Sequence, residues 1–335
     1  MNRDDAEATD GVDELVVIPV TGMGEISAGD DLAALLAGAA ELRGLANGDV
    51  LVVTSKVVSK AEGSVRPGSR EEALAGETVR VVARRGRTTI ARTHHGLVLA
   101  AAGVDASNVP AGEVVLLPRD PDASARGLRE RLLDLTGRNV GVVVTDTAGR
   151  SWRTGQTDIA IGAAGIVPQL DYAGRLDRHG NQLQVTSPAV ADEVAAAADL
   201  VTGKVAGRPA ALVRGLAGLV LPAGEHGPGG AALVRPEGED LFGYGARQAV
   251  LHALAADPAL VAGFGAPVAA VELVDALVAV GATGVRIEAD TDEDVVEAGG
   301  DAVALTATAY AHGWLRTTST GSGLLRFTAA RSVST

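Results

Sequence analysis

Two runs of β-branched residues constrain this fold most. "DVLVVTS" (49–55) and "NVGVVVTD" (139–146) are almost wholly apolar, and each ends on hydroxyl or acid residues. Such runs read as strands, and they alternate along the chain with helix-like segments. The helix-like segments are one from about Asp31, an Arg-rich one near 122–137, and the long amphipathic "SPAVADEVAAAADLVTGK" (187–204), with Ser187 and Pro188 as its start. Further strands are "ELVVIPV" (14–20) and the pair "TVRVVAR" and "TTIARTHHGLVLAAAG"; "IAIGAAGI" (159–166) and "PAALVRGLAGLV" (209–220) add buried apolar segments. The class is α/β with a mixed sheet. Strand ends that turn polar deliver their side chains to one sheet edge, where ligands of open α/β folds collect.

The segment "LPAGEHGPGGAALVRPEGEDLFGYG" (221–245) is dense in Gly and Pro, which places a domain boundary near Ala246. The main domain spans 14–246. Residues 247–335 read as a small C-terminal α/β domain, with helices in "RQAVLHALAADPAL" and "APVAAVELVDALVAVGA", a strand "GVRIEA", a helix near 301–312 and a hairpin-like "LRTTSTGSGLLRFTAA". Residues 1–13 are expected to be a disordered leader, acidic and polar unlike an export signal. No apolar run approaches the about 18 residues that suggest a bilayer span, so the expected location is the cytoplasm.

With no Cys in the chain, disulfides, thiolate metal sites and cysteine nucleophiles are excluded, and any metal must use oxygen or imidazole. A formal charge of −13 argues against a general nucleic-acid surface. Anionic ligands then need local help. The chain has 26 Arg but only 3 Lys, and Lys56, Lys60 and Lys204 all fall beside short Ser/Thr/Gly-containing turns. Lys56 and Lys60, four apart on a helix beginning at Ser55, share one face near its positive end, an arrangement suited to phosphate as well as to a solvated helix face. No Walker loop or dinucleotide fingerprint is present. His94 and His95 are adjacent, so a strand sends them opposite ways.

The densest chemistry lies in "VVVTDTAGRSWRTGQTDIAIG" (142–162), which carries Asp146, Thr147, Arg150, Arg153, Gln156 and Asp158. Hard divalent cations take carboxylate, hydroxyl and water oxygens, with phosphates completing the shell. Asp105 in "AGVDASNV" and Asp146 in "VVTDTAGR" each follow an apolar segment, on what reads as a turn, so both can face the same edge. A lone Asp there is ordinarily a cap or turn residue. The surrounding oxygens and guanidiniums exceed what a turn requires.

"TSKVVSKAEG" (54–63), "THHGLVLAAAGVDASNV" (93–109), "LPRDPDASA" (117–125), "VVTDTAGRSWRTGQTDIAIGAAGI" (143–166) and "VRPEGEDLFGYG" (234–245) closely resemble the coenzyme F420-0:L-glutamate ligases, the F420 gamma-glutamyl ligases. The likeness spans about residues 14–246. It implies that family's fold and a GTP-dependent acid–amino-acid ligase: a carboxylate of the deazaflavin precursor F420-0 is phosphorylated by GTP, glutamate's amine displaces the phosphate, and a further glutamate is γ-linked. It also implies two divalent cations, Mg²⁺ or Mn²⁺, assistance from K⁺, and a homodimer.

Position by position, the resemblance makes Asp105 and Asp146 primary metal ligands and Thr147 a ligand of the second metal. It assigns nucleotide contacts to Ile18, Pro19, Val20, Thr21, Ser55, Lys56, Lys60, Asn108, Thr202, Gly203 and Lys204; some relatives have a metal-binding glutamine where Thr202 stands. Arg150, Arg153, Gln156 and Asp158 carry catalytic roles toward substrate or metal shell. Some relatives end near residue 246 and others continue into a flavin domain of about twice the length of the tail found here, so residues 247–335 depart from both patterns. An acid–amine ligase for another carboxylate and a non-catalytic GTP-binding regulatory module are the competing readings.

Overall fold

In the computed structural model, residues 14–236, 239–240, 242–289, 294–317 and 323–330 are described. The leader expected over 1–13 lies outside them. In chain order the elements are β1 (Val16–Val20), α1 (Leu32–Gly38), β2 (Val50–Thr54), α2 (Ser55–Ala61), β3 (Val65–Pro67), α3 (Arg70–Glu77), β4 (Arg80–Arg85), β5 (Thr88–Arg92), β6 (Val98–Ala100) and β7 (Glu113–Val115). Then come α4 (Pro121–Thr136), β8 (Gly141–Gly149), β9 (Gln156–Ala164), α5 (Val190–Thr202), β10 (Ala210–Arg214), α6 (Ala246–Ala255), α7 (Ala270–Ala279), β11 (Thr283–Ala289), β12 (Asp294–Gly299), α8 (Ala302–Ala311), β13 (Trp314–Thr317) and β14 (Leu325–Ala329). The chain divides into two compact units, one of Met1–Val79 and Arg92–Val234, the other of Arg80–Ala91 and Arg235–Thr335.

The first unit is organised by a five-stranded sheet in the order β1-β10-β2-β8-β9. Only β2 and β8 run parallel; the other pairings are antiparallel. Alternation along the strands feeds two apolar cores. Leu51, Val53, Val142 and Val144 pack with Leu36 of α1 and Leu128 and Leu132 of α4. Val50, Val52, Val143, Ala211 and Val213 pack with Val190, Ala191 and Val194 of α5 on the opposite face. The apolar runs are therefore buried on both sides.

Helix boundaries follow their capping chemistry. Asp31 caps α1 by accepting from the Ala34 N–H at 3.0 Å, and Asp120 caps α4 by accepting from Ala123. α5 starts later than the expected Ser187–Pro188. The Ser187 hydroxyl donates to the Leu170 carbonyl and the Pro188 carbonyl accepts from the Leu170 N–H, so both belong to the preceding loop.

Two glycines in this unit answer to close approach. Pairing of β8 with β9 slips between Val144, opposite Gly162, and Thr145, opposite Ala160, which leaves Ile161 as an extra residue. A Cβ on Gly162 would lie 2.3 Å from the Pro121 carbonyl oxygen at the start of α4. Gly165, at φ 69°, passes against buried Arg129, whose Nε a Cβ there would meet at 1.9 Å. Arg129 donates to the carbonyls of Val140, Leu221 and Pro222 and to Asn139 Oδ1, all within 2.8–2.9 Å.

The second unit has an antiparallel sheet ordered β11-β12-β14-β13, with Trp314 and Phe327 buried against Leu273 and Leu277 of α7 and Leu305 of α8. The hairpin-like C-terminal segment contains β13 and β14, antiparallel with Trp314 opposite Ala329 and Thr317 opposite Arg326, while residues 318–322 lie outside the described ones. β12 was not anticipated, because its "DVVEAG" reads as acidic and short; Glu297 is buried there against Arg286, whose Nε donates to Oε2 at 2.9 Å. The same unit includes the hairpin of β4 and the first part of β5, where the Val82 carbonyl accepts from the Gly245 N–H at 2.8 Å.

Candidate active site

The parallel pair creates the site. Thr54, the last residue of β2, lies opposite Thr145 in the middle of β8, so the first turn of α2 meets the next residue of β8. Ser55 Oγ donates to Asp146 Oδ1 at 3.1 Å. Asp146 is not on a turn, as the sequence suggested: β8 continues to Gly149 as one arm of a long hairpin with β9, and Asp146 pairs with Ile159. It is half-buried, and burial pushes its carboxyl up to about 6, aided by the charges of Asp158 and Asp105 against the bonds from Ser55 and the Thr147 N–H.

Alternation along β8 puts Asp146 on the α1/α4 side of the sheet and Thr147 on the α5 side. Asp105 stands with the first. Its backbone bridges Val115, with N–H to carbonyl at 3.0 Å and the reverse at 2.8 Å, and its carboxylate accepts from the Ser107 N–H and Oγ. Lys56 Nζ is 2.6 Å from Asp105 Oδ2 and Arg70 is 3.4 Å from Oδ1. Burial pushes Asp105 up, but the Lys56 and Ser107 bonds outweigh it and hold this carboxyl below the usual range.

On the α5 side, Asp158 is buried on β9 opposite Thr147. It accepts from Thr145 Oγ1 at 3.1 Å and from Thr147 Oγ1 at 2.8 Å. Lys204, just past the end of α5, donates to Asp158 Oδ1 at 3.0 Å and to Thr147 Oγ1 at 2.8 Å, and pairs with Asp199 at 2.9 Å. Buried Thr202 and exposed Gly203, the latter at φ 62°, form the turn that leads to Lys204, which reaches the buried Asp158 from the surface. That network went unread in the sequence; a buried Asp among Val, Ile and Ala was its signal.

Other expected residues are placed apart. Lys60 pairs with Glu25 rather than sharing a partner with Lys56. Arg150 and Arg153 are exposed in the β8–β9 connection, where Arg150 Nη2 donates to the Thr154 carbonyl at 3.2 Å. Gln156 is exposed at the start of β9. Ile18, Pro19 and Val20 pair with β10 in β1, and the Thr21 hydroxyl donates to Glu41 at 2.5 Å. Asn108 adopts the left-handed region, φ 56°.

Comparison with known proteins decides what this edge belongs to. Residues 22–215 match the family model described as F420-0:Gamma-glutamyl ligase. The chain belongs to the F420-0:gamma-glutamyl ligase family. Over 220 residues it is 42% identical to the coenzyme F420:L-glutamate ligase of Archaeoglobus fulgidus, covering 60% of this chain and 87% of that one. The enzymes of the same name from Methanopyrus kandleri and Methanothermobacter thermautotrophicus are 41% identical over 227 residues and 40% over 222, with 89% and 88% of each relative covered. The family segment includes Asp105, Asp146, Thr147, Asp158 and Lys204; Ile18–Thr21 fall just ahead of it.

The residues fit a hard cation of the kind the ligase family implies. Asp146 is a carboxylate whose charge is disfavoured in place by burial and by two acidic neighbours, the condition a divalent ion relieves. Among the described residues, no three His, Cys, Asp or Glu side chains form a ready cage. Among the described residues, no helix is long and apolar enough to cross a membrane.

Proposed function

We propose that this chain joins L-glutamate to the deazaflavin precursor F420-0 at the expense of GTP, through an acyl phosphate. The observation that carries the reading is the gathering of Asp105, Asp146 and Asp158 where β2 ends beside the middle of β8, with Asp146 pushed up to about 6 by burial first and then by its neighbours' charge. An edge that concentrates negative charge this way is built for cations and the phosphates they accompany. The relatives' names supply the substrates: each is a coenzyme F420:L-glutamate ligase.

In this reading Asp105 and Asp146 hold one divalent cation and Thr147 contributes to a second, with K⁺ assisting; bound there, the cations neutralise phosphate charge. Lys56, already 2.6 Å from both Asp105 Oδ2 and Ser107 Oγ, exchanges those partners for phosphate oxygens, together with Lys60 and Ser55. Ile18–Thr21, Asn108 and Thr202–Lys204 complete the nucleotide contacts. A carboxylate oxygen of F420-0 attacks the γ-phosphorus, and the bond to the β-phosphate oxygen breaks to release GDP. The glutamate amine then attacks the acyl carbon, loses a proton, and inorganic phosphate leaves. Arg150, Arg153 and Gln156, exposed around the β8–β9 connection, orient the anionic substrates, and Asp158 sets the position of Lys204 and Thr147. The protein acts as a cytoplasmic homodimer.

The test is incubation with GTP, Mn²⁺, L-glutamate and F420-0, followed by mass spectrometry. Products heavier by one or more glutamyl residues, formed with GDP, are expected. GTP binding without GDP release in the presence of both acceptors would sink the reading.

A further inference from the structure

Apart from the sheet edge, the first unit holds a cavity of ≈ 410 Å³ lined by Ser64, Arg66, Glu77, His94, His95 and Arg119, among others. Its size falls in the range of about 300–1,000 Å³ typical of small-molecule sites. Two of its walls are tied to Asp105. The wall formed by residues 116–119 continues from Val115, whose backbone bonds Asp105 in both directions. The wall carrying Glu77 ends α3, the helix whose first residue, Arg70, reaches the Asp105 carboxylate at 3.4 Å.

The charges in this cavity are set out for a ligand, not for each other. Among the described residues, neither the Arg119 guanidinium nor the Glu77 carboxylate has a side-chain partner. Arg66 spends its Nη1 on the Gly63 and Val65 carbonyls, at 2.5 and 2.9 Å, which fixes the guanidinium in place. Nε2 of His95 bonds the Arg119 carbonyl at 3.1 Å and Nε2 of His94 the Gly76 carbonyl at 3.0 Å, which locks both rings. Among the described residues, Nδ1 of His95 is buried with no partner, a condition native interiors rarely tolerate unless something binds there.

We infer that this cavity is the binding site for free L-glutamate, with Arg66 and Arg119 taking its two carboxylates and Glu77 its ammonium. Two guanidiniums and one carboxylate match two carboxylates and one ammonium in number and sign, and guanidiniums favour planar carboxylates. A simple anion would leave Glu77 opposing it. The inference rests on the proposed ligase reading for the identity of the amino acid.

Titration calorimetry on the full chain with L-glutamate and with glutarate, which lacks the amine, tests the site alongside steady-state kinetics. L-Glutamate is expected to bind in preference to glutarate. Arg119→Ala is expected to raise the KM for glutamate at least tenfold, with kcat and the KM for GTP unchanged, and Glu77→Gln to abolish the preference over glutarate. Unaltered melting curves guard against misfolding. If the protein ligates glutamate but Arg119→Ala and Glu77→Gln leave its KM and binding unchanged, the inference is overturned and the ligase reading stands. If the wild type binds glutamate with this variant sensitivity but ligates nothing, the site stands and the ligase reading falls.

Discussion

Ser55 Oγ donates to Asp146 Oδ1 at 3.1 Å, joining the first turn of one helix to a strand 91 residues later in the chain. This bond lowers the carboxyl against burial, the larger influence, which raises it. The acid is thus kept in a place where its charge adds little to stability.

Asp146→Asn is therefore expected to cut glutamate ligation by at least about 100-fold, the scale of losing a group that stabilises developing charge. Its melting temperature without ligands is expected to stay at or above that of the wild type. Turnover is read by GDP release and stability by thermal unfolding; retained turnover would remove Asp146 from the site.

Arg129 makes the opposite case. From a buried position it donates to four backbone carbonyls, those of Val140, Leu221, Pro222 and Glu225, and to Asn139. Arg129→Met takes that donor from each, while Leu221 and Pro222 keep a second one, in Asn139 Nδ2 and the Glu225 N–H. With unsatisfied buried groups costing roughly 1–3 kcal/mol each, a loss of at least about 3 kcal/mol is expected in urea unfolding.

Gly162→Ala drives a methyl group to 2.3 Å from the Pro121 carbonyl oxygen, so β9 and α4 must part. An overpacking cost of about 1–3 kcal/mol is expected, visible as a lowered urea midpoint.

Asp192 accepts the Ala160 N–H at 2.8 Å, yet burial, the larger effect, holds its carboxyl above the ordinary value. A folded-state value above the unfolded one means the folded chain binds this proton more readily. Stability from this group accordingly rises as the pH falls from the raised folded value toward the unfolded one. Relative to Asp192→Asn, the wild type is expected to gain stability between pH 7 and pH 4.5 in urea unfolding; a pH-independent difference would contradict the assignment.

Much of the sheet was legible because its strands are buried on both faces and so carry unbroken apolar runs. Asp105 and Asp146 stood out only through the oxygens and guanidiniums near them in sequence, since a lone Asp after a strand is ordinarily a cap or turn residue. The extent of β8 was not legible, since continuation through "TDTAG" depends on pairing with β9 and not on local preference. The Lys204–Asp158 contact joins residues 46 apart, and neither neighbourhood hints at the other. Arg129 is hidden for a different reason: in a helix with Arg126 and Arg131, sequence gives no sign that one guanidinium turns inward. Ser187 looked like a cap by type but spends its hydroxyl on Leu170.

The extra residue Ile161 changes which side of the sheet successive positions of β9 address. Before it, Asp158 and Ala160 share a side; after it, Ala163 returns to that side in a phase that an uninterrupted strand would not give. The strand therefore works as two independently oriented halves, one answerable to the chemistry at the mouth and one to the apolar interior. One strand thereby sets the buried Asp158 and the apolar Ala163 on the same side of the sheet while Ile161 joins the opposite core.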